Sequence, residues 1–200
     1  NFLKLKEHEL SVYAFENIYI WKKLFKIYWV EIKNSLCVFF EDSIGCFMYL
    51  SPLAEHQDPE VIDEAFKIMD KRNCNKAASR IENVEEKDLS FFRDLGYNCS
   101  YKSCDYICKR DSLIRLKGDA IKAKRSSINY LVKHYRFDYL PFSIKHRAEC
   151  LSLYNSWMEQ RKSKNKDAVY QDMMSDNRKA LETLFKASKY LDYTGRIVKI

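Results

Sequence analysis

Over the first fifty residues, hydrophobic and polar residues alternate first with the period of a helix and then with the period of a strand. Apolar side chains recur at helical spacing over 11–25 and predict a helix that buries one broad face. Three short runs of β-branched and aromatic residues follow at 27–32, 35–41 and 46–50, separated by turn-forming residues. Runs spaced in this way predict an antiparallel meander.

The next sixty residues alternate between helix and strand patterns. Asp58 suits the N-cap and Pro59 the first helical position, so together they predict a helix that ends near Lys71. Three further elements are predicted after it: a short strand over 77–81, a helix over 85–95 that Gly96 ends, and a long strand region over 101–116. These elements define a first α/β unit over 1–115.

A helix predicted over 118–135 carries two stripes. The apolar stripe consists of Ile121, Ile128, Leu131, Val132 and Tyr135. A polar and cationic stripe, rotated from the first by about 100°, consists of Lys122, Arg125, Asn129, Lys133 and Arg136. We therefore expect one face of this helix to be buried and the neighbouring face to stay cationic.

The remaining residues predict an incomplete repeat of the first unit. Their elements are a strand over 137–142, helices over 145–161 and 169–191, and a closing strand over 195–200. This order predicts the start of a second copy of the same fold over 137–200, joined to the first by a basic helix over 116–136. Since an apolar edge strand needs a partner, we expect the closing strand to pair with the first unit or with residues beyond 200.

The positive charge is concentrated in one segment. The chain carries a net charge of +7, and residues 117–147 contain eight cations against two carboxylates. Such a local excess is typical of a surface that binds the phosphates of nucleic acid or anionic lipid. A solvated helix face between two domains explains the same charges equally well.

Composition excludes several classes of protein. Apolar residues make up 46% of the chain and aromatic residues 14%, which is too much hydrophobic surface for a disordered protein. The four glycines lie too far apart for a nucleotide-binding glycine loop, so nucleotide hydrolysis is not expected. No uninterrupted apolar stretch approaches the ~18 residues of a membrane span.

Cysteine and histidine usage predicts neither a metal nor a cofactor. Seven cysteines, an odd number in a chain of this length, fit free thiols in a reducing, cytoplasmic compartment. Cys99, Cys104 and Cys108 lack the short turn-forming spacing of zinc ligands and are expected to be structural. The four histidines stand singly, without partners at ligand or triad spacing.

Two segments resemble a known family. The run Leu116-Lys-Gly118, followed by Lys124-Arg-Ser-Ser-Ile-Asn129-Tyr, resembles the linker helix of the phosphatidylglycerol lysyltransferase C-terminal domain family. In that family a Leu-x-Gly run precedes Lys-Arg-Asn-x-Ile-Asn-Arg-Phe. The opening run Ala14-Phe15-x-Asn-x-Tyr-x-Trp21 is similar to the family's entry motif. Ser126, Ser127 and Tyr130 depart from the family, which usually has Asn, His and often Arg at these positions.

The resemblance implies a fold and an activity. The family consists of two tandem GNAT-type acyltransferase folds, each a mixed, mostly antiparallel α+β sheet flanked by helices. Its best-known members move an aminoacyl group from a charged tRNA to a lipid headgroup, which would place this chain in the cytoplasm or at the inner face of the membrane. Two alternatives stay open: an N-acetyltransferase that uses acyl-CoA, and a non-catalytic module that binds RNA or anionic membrane through its basic helix.

Aminoacyl transfer would need a cationic groove for the tRNA acceptor end and a cleft for the acceptor. The predicted anion- or tRNA-binding residues are Lys117, Lys122, Lys124, Arg125, Asn129, Lys133 and Arg136. Among them Arg125 is the candidate for a bidentate phosphate contact, because its planar guanidinium suits that geometry. Tyr154 and Trp157 are candidates for the substrate cleft, although aromatic residues at such positions are more often core. The pattern assigns no catalytic residue.

Overall fold

The structure is a computed structural model that describes residues 2–102 and 105–200. Its strands are β1 (Lys26–Ile32), β2 (Ser35–Glu41), β3 (Cys46–Met48), β4 (Asp138–Pro141) and β5 (Arg196–Lys199). Its α-helices are α1 (Phe15–Tyr19), α2 (Pro59–Arg72), α3 (Leu89–Asp94), α4 (Arg110–Arg115), α5 (Lys122–His134), α6 (Arg147–Lys164) and α7 (Ala168–Ala187). The predicted mixed α+β class, with antiparallel strand pairing, is confirmed.

The predicted meander is confirmed. Strands β1, β2 and β3 form one antiparallel sheet in that order. The two-residue turn between β1 and β2 places Lys33 and Asn34 at φ +47° and +61°, the left-handed pair that tight hairpins prefer. This turn fixes the register, with Ile32 opposite Ser35.

The central strand β2 divides the core into two layers because successive side chains point to opposite faces. On one face, Val38 and Phe40 pack with residues of the N-terminal helical segment and of β3. On the other face, Cys37 and Phe39 pack against α2, through its buried residues Val61, Ala65 and Met69. The first sheet is therefore covered on both sides.

Helix α2 begins as the sequence predicts. The Asp58 carboxylate accepts a hydrogen bond from the Glu60 backbone N–H at 2.8 Å, and Pro59 occupies the first turn. The strand predicted over 77–81 is wrong. This segment contains a 3-10 turn, Lys76–Ala78, and then a single parallel bridge between Met48 and Ile81. Asn75 caps the turn by accepting from Ala77 N–H, a local bond that competes with strand pairing.

The long strand predicted over 101–116 is also wrong. The described part of this segment is irregular up to α4, and Leu116 then takes a left-handed conformation with φ +49°. Tyr106 is 97% exposed, so its side chain has no sheet to cover. Aromatic and β-branched residues favour a strand only where a neighbouring strand and a core receive them. Ser103 and Cys104, within the same prediction, lie outside the described residues.

The second unit is built on α6, α7 and a small sheet. Tyr154 on α6 donates a hydrogen bond to the Met174 carbonyl of α7 at 3.0 Å. The closing strand β5 pairs antiparallel with β4, with Tyr139 opposite Val198. Of the two partners expected for this strand, the first unit is wrong for the described residues, because β1–β2–β3 and β4–β5 form separate sheets. Helix α7 also packs against the turn Ile20–Lys23 of the first unit.

Candidate functional site

Within the segment 118–135, where the sequence predicts a helix, the structure has a 3-10 turn, Asp119–Ile121, and then α5. A hydrogen-bonded corner sets the start of α5. Gly118, at φ +94°, turns the chain from α4 towards α5. The Arg125 guanidinium closes this corner, because its Nη1 donates to the Leu116 carbonyl at 2.6 Å and to the Gly118 carbonyl at 3.2 Å. Arg125 is half-buried. Arg125 therefore holds the backbone of this corner, whereas the sequence suggests a guanidinium that is free to make a bidentate phosphate contact.

The other predicted cations lie at the surface of the segment. Lys117, Lys122, Lys124, Lys133 and Arg136 are exposed, and so is Asn129. Within residues 2–102 and 105–200, no ion pair joins any of these five cations to a carboxylate. Their field is not neutralised locally, so the segment can attract a polyanion.

The apolar stripe of α5 is not buried as predicted. Ile128 is 42% exposed, Val132 is 61% exposed and Tyr135 is 44% exposed, while Ile121 and Leu131 are half-buried. The element packed most extensively on α5 is the short turn Asp119–Ile121 just before it. Helical periodicity predicts that one face is apolar, but it cannot supply the element that covers that face. Both the apolar and the cationic faces are accessible.

Tyr154 and Trp157 lie together on α6, with ring centroids 5.4 Å apart. The Tyr154 hydroxyl is engaged with α7, and burial raises its pKa. The Arg161 guanidinium lies 5.5 Å from the centroid of the Trp157 ring. In the part of the chain that the structure describes, no hydrogen bond or ring contact joins this pair to α5. Tyr154 therefore connects two helices, and Trp157 is the more accessible of the two.

The first sheet carries a polar cluster that the sequence does not reveal. The Tyr28 hydroxyl donates to Glu41 Oε2 at 2.6 Å and lies 3.1 Å from Cys46 Sγ, and Arg72 Nη1 lies 3.0 Å from the same Glu41 oxygen. The hydrogen bond from Tyr28, opposed by burial and reinforced by Arg72, holds the pKa of Glu41 below its ordinary value. Burial raises the pKa of Tyr28, which keeps its hydroxyl protonated.

Open cavities at the surface of the described residues lie next to the first sheet and next to the basic segment. One, of about 470 Å³, is lined by Lys22, Lys23, Leu24, Phe25, Lys26, Glu41, Asp42 and Ser43. The other, of about 290 Å³, is lined by Asp111, Ser112, Arg115 and Lys117, at the entrance to the basic segment. The pairing of Lys26 with Glu41 across β1 and β2 brings the walls of the first cavity together. Only the strand register, and no local motif, could have indicated that cavity.

Neither a metal site nor a membrane span is found in the described ranges. Among residues 2–102 and 105–200, no three His, Cys, Asp or Glu side chains are arranged to hold a metal ion. Of the three clustered cysteines, Cys99 and Cys108 are free thiols and Cys104 lies outside the described residues. No helix in those ranges combines the length and the apolarity needed to cross a bilayer.

The elements described above define a mixed α+β protein with antiparallel sheets and an exposed basic helix. A family model described as phosphatidylglycerol lysyltransferase, C-terminal, matches residues 4–197, and the chain belongs to this family. The family that the two sequence motifs resemble is thus confirmed, and the match covers nearly the whole chain.

One solved structure extends the comparison to the fold. The chain is similar to a conserved protein of unknown function from Bacteroides thetaiotaomicron VPI-5482, with a TM-score of 0.74 and 20% sequence identity. The match covers 97% of this chain and 64% of that one, so the chain spans less than two thirds of the length of its structural neighbour. At this identity the likeness establishes the fold alone. No curated protein matches the sequence.

Proposed function

We propose that the chain is part of an acyltransferase that takes an aminoacyl group from a charged tRNA and passes it to a lipid headgroup or another amine or hydroxyl acceptor. The observation that carries the proposal is a family match over residues 4–197 combined with cations on α5 that have no carboxylate partner in the described ranges. Such a donor places the reaction in the cytoplasm, with a lipid acceptor presented at the inner face of the membrane.

The chemistry demands little beyond positioning. The acceptor oxygen or nitrogen attacks the ester carbonyl, the new acyl bond forms, and the bond to the ribose oxygen of the tRNA breaks. The proton of the acceptor passes to that ribose oxygen. Because the ester is already activated, correct placement and electrostatic stabilisation supply most of the rate enhancement.

The phosphate contacts in this proposal fall to the exposed cations. Lys122, Lys133 and Arg136 lie on the cationic stripe of α5 or just beyond its end. Lys117 precedes the helix, and Lys124 lies on a different face of it. Arg125 acts as a positioning residue, because its Nη1 is committed to the corner before α5. The helix is thereby presented with its cations towards the donor.

A salt titration of binding tests the proposal. The wild-type chain should bind charged tRNA with an affinity that falls steeply with salt, since each phosphate contact releases counterions. Lys122→Gln combined with Lys133→Gln should lower the slope of log K against log salt by about one unit for each lysine replaced. Lys166→Gln with Lys189→Gln, at exposed positions of the second unit, provides the matched control. Unchanged binding by the α5 variant would refute the donor assignment.

The acyl-CoA alternative is disfavoured by the start of α2. In this fold the pyrophosphate of such a cofactor would need main-chain N–H groups at a helix N-terminus. At α2, however, the Asp58 carboxylate accepts from the Glu60 N–H and Pro59 offers no N–H. Lys33 pairs with Glu60 and lies near Asp58, so its charge is also engaged. The glycines at 45, 96, 118 and 195 also form no glycine-rich turn, so a titration with coenzyme A should give no binding.

We further propose the domain organisation that the sequence suggests: a GNAT-like unit over 1–115, a connecting segment over 116–136 and part of a second GNAT-like unit over 137–200. The meander β1–β2–β3, followed by α2 and the parallel bridge at Ile81, supports a GNAT-like first unit. Helix α7 contacts Ile20–Lys23, so the two units pack against each other.

A further inference from the structure

Strand β1 is an edge of the first sheet, and its outer side has no partner strand among residues 2–102 and 105–200. The sheet order is β1–β2–β3, so β2 covers only the inner side of β1. Native proteins usually shorten, cover or charge such an edge. Strand β1 is seven residues long, and it carries Trp29 at 68% exposure and Val30 at 37%. An edge of this length and apolarity is suited to pairing with a further strand.

The register identifies the backbone groups that β1 offers. Leu36 N–H donates to the Leu53 carbonyl, and the Leu36 carbonyl accepts from Leu53 N–H, so both groups of Leu36 point away from β1. Glu31 lies opposite Leu36, and hydrogen-bonded pairs alternate along an antiparallel ladder. The N–H and C=O groups of Ile27, Trp29 and Glu31 therefore point outwards. No backbone partner engages them in the part of the chain that the structure describes.

Helix α2 runs along β1 in the opposite direction. Glu60, in the first turn of α2, pairs with Lys33 just after the end of β1. The Arg72 guanidinium, in the last turn, lies 4.3 Å from the centroid of the Tyr28 ring, near the start of β1. Whatever pairs with the outer side of β1 therefore also comes close to α2.

The side of α2 nearest this edge has an acidic first half and a basic second half. The opposite side is already covered, because Phe66 stacks on Tyr97 with ring centroids 4.8 Å apart. Four charged side chains lie about 100° to 160° from Phe66 around the helix. They are Glu60, Glu64, Lys67 and Lys71. Glu64 and Lys67 form a pair at 3.3 Å, but both are exposed, and a pair of this kind is weak enough to be exchanged.

We propose that β1 pairs antiparallel with β1 of a second copy of this chain, about a two-fold axis at Trp29. In this register Trp29 lies opposite Trp29 of the partner subunit, and Ile27 lies opposite Glu31 of the partner subunit. Every outward N–H then meets an outward C=O, and the two interfaces are the same surface, as a two-fold dimer requires.

Charge complementarity selects a second copy over an unrelated extended peptide. Antiparallel pairing places the acidic half of α2, with Glu64, beside the basic half of the other α2, with Lys71. Opposite charges that face each other in this way favour association and fix its orientation. An unrelated peptide would satisfy the backbone of β1 but not the charges of α2. The inference does not depend on the proposed donor or acceptor.

Analytical ultracentrifugation of the 200-residue chain over a range of concentrations tests the proposal. Wild type should show a monomer–dimer equilibrium, and amide exchange at Ile27, Trp29 and Glu31 should slow as the dimer forms. Trp29→Lys should weaken dimerisation by about tenfold or more, because it removes an aromatic anchor and brings two like charges together at the axis. Trp157→Lys replaces an exposed tryptophan of α6 and should dimerise like wild type.

Charge reversal tests the orientation. Lys71→Glu should weaken the dimer, because it brings two carboxylates together across the axis, and Glu64→Lys should weaken it by bringing two ammonium groups together. The two substitutions combined in one chain should restore dimerisation. A combined variant as weak as either single variant would overturn the antiparallel arrangement.

The remaining outcomes also decide the proposal. A chain that stays monomeric at every concentration would overturn it, and so would a Trp29→Lys variant that dimerises like wild type. A monomer whose outward β1 amides are already protected from exchange would mean that another part of the chain covers this edge, which would overturn the proposal as well. Circular dichroism of Trp29→Lys should match that of wild type, because the side chain is largely exposed.

Discussion

The His8 imidazole Nδ1 lies 3.1 Å from Glu85 Oε2, and both side chains are almost fully buried, at 7% and 3% exposure. Their positions are 77 residues apart, so this pair ties the N-terminal segment to the start of the helical region before α3. The second carboxylate oxygen, Oε1, accepts from the Glu9 N–H at 2.6 Å. The His8 ring stacks on Tyr13, with centroids 3.7 Å apart, which places the pair directly beside the first core layer.

Replacing Glu85 should therefore loosen the N-terminal segment. Glu85→Ala leaves the N–H groups of Glu9 and Leu10 without their acceptor, and an unsatisfied buried donor costs about 1 to 3 kcal/mol. Chemical denaturation should report a loss of this size in the free energy of unfolding. Glu86→Gln, at the neighbouring exposed position, is the control and should unfold like wild type. Equal stability of the two variants would contradict the proposal that Glu85 holds the N-terminal segment in place.

The same carboxylate should make stability depend on acid. Burial alone raises the pKa of Glu85, but hydrogen bonds from Glu9 N–H, Lys87, His8 and Leu10 N–H outweigh it and hold the pKa below its ordinary value. A carboxyl whose pKa is lower when folded stabilises the fold above its unfolded pKa, and this stability is lost as pH falls through the folded pKa. The free energy of unfolding should thus decrease below about pH 4.3. Glu85→Gln should show a shallower decrease over the same range, and an identical pH profile would contradict the linkage.

Gly45 should not tolerate even a methyl group. A Cβ at this position would lie 2.7 Å from Asn73 Oδ1 and 2.9 Å from the Ala78 Cβ. Asn73 joins the end of α2 to β3, because it accepts from Cys46 N–H at 2.6 Å and donates to the Cys46 carbonyl at 2.8 Å. Gly45→Ala should therefore break this link at a cost of about 1 to 3 kcal/mol, measured by denaturant unfolding. Ser43→Ala, at an exposed position in the same turn, should change stability little, and a comparable loss there would contradict the steric explanation.

Tyr28 should control the ionisation of Glu41. Its hydroxyl is the main factor that lowers the Glu41 pKa, so Tyr28→Phe should raise that pKa towards the ordinary value of a glutamic acid. Carbon-detected NMR of the side-chain carboxyl can follow the titration directly. The matched control is Tyr190→Phe, since Tyr190 is among the exposed aromatic residues of the second unit. An unchanged Glu41 titration in Tyr28→Phe would contradict this role and leave the lowered pKa of Glu41 to Arg72 and Lys26.

Capping and turn residues predict much of this fold, and the strand predictions that are wrong share one cause. The Asp58 cap, the hairpin around Asn34 and the end of a helix at Gly96 depend on neighbouring residues, and all three are found as predicted. The strand predicted over 101–116 failed because strands require partners, which no local pattern supplies. The expectation that the closing strand could pair with the first unit is wrong for a similar reason, since its partner β4 lies more than fifty residues earlier.

The candidate site was predictable in its composition but not in its surroundings. Lys122 and Lys133 are exposed as their stripe predicts, whereas Val132 on the apolar stripe is exposed against expectation. Periodicity indicates the faces of a helix, while burial depends on elements elsewhere in the chain. The Tyr28–Glu41–Cys46 cluster was missed for the same reason, because only the register of β1, β2 and β3 brings these residues together.

Arg125 provides the sharpest distinction between a positioning role and a phosphate contact. Its Nη1 donates to the carbonyls of Leu116 and Gly118, so Arg125→Gln should release the corner between α4 and α5. Amide hydrogen exchange should accelerate over residues 116–121, because local opening of a corner that depends on few hydrogen bonds becomes easier. Lys124→Gln, the adjacent exposed cation, should leave exchange at its wild-type rate.

The salt dependence of tRNA binding also distinguishes a positioning role of Arg125 from a phosphate contact. A positioning residue changes affinity without removing a phosphate contact, so Arg125→Gln should weaken binding while keeping the wild-type salt slope. Lys122→Gln, by contrast, should lower the slope by about one unit. If Arg125→Gln lowered the slope while hydrogen exchange at the corner stayed normal, the guanidinium would be a direct phosphate ligand and the tether to Leu116 and Gly118 would be dispensable.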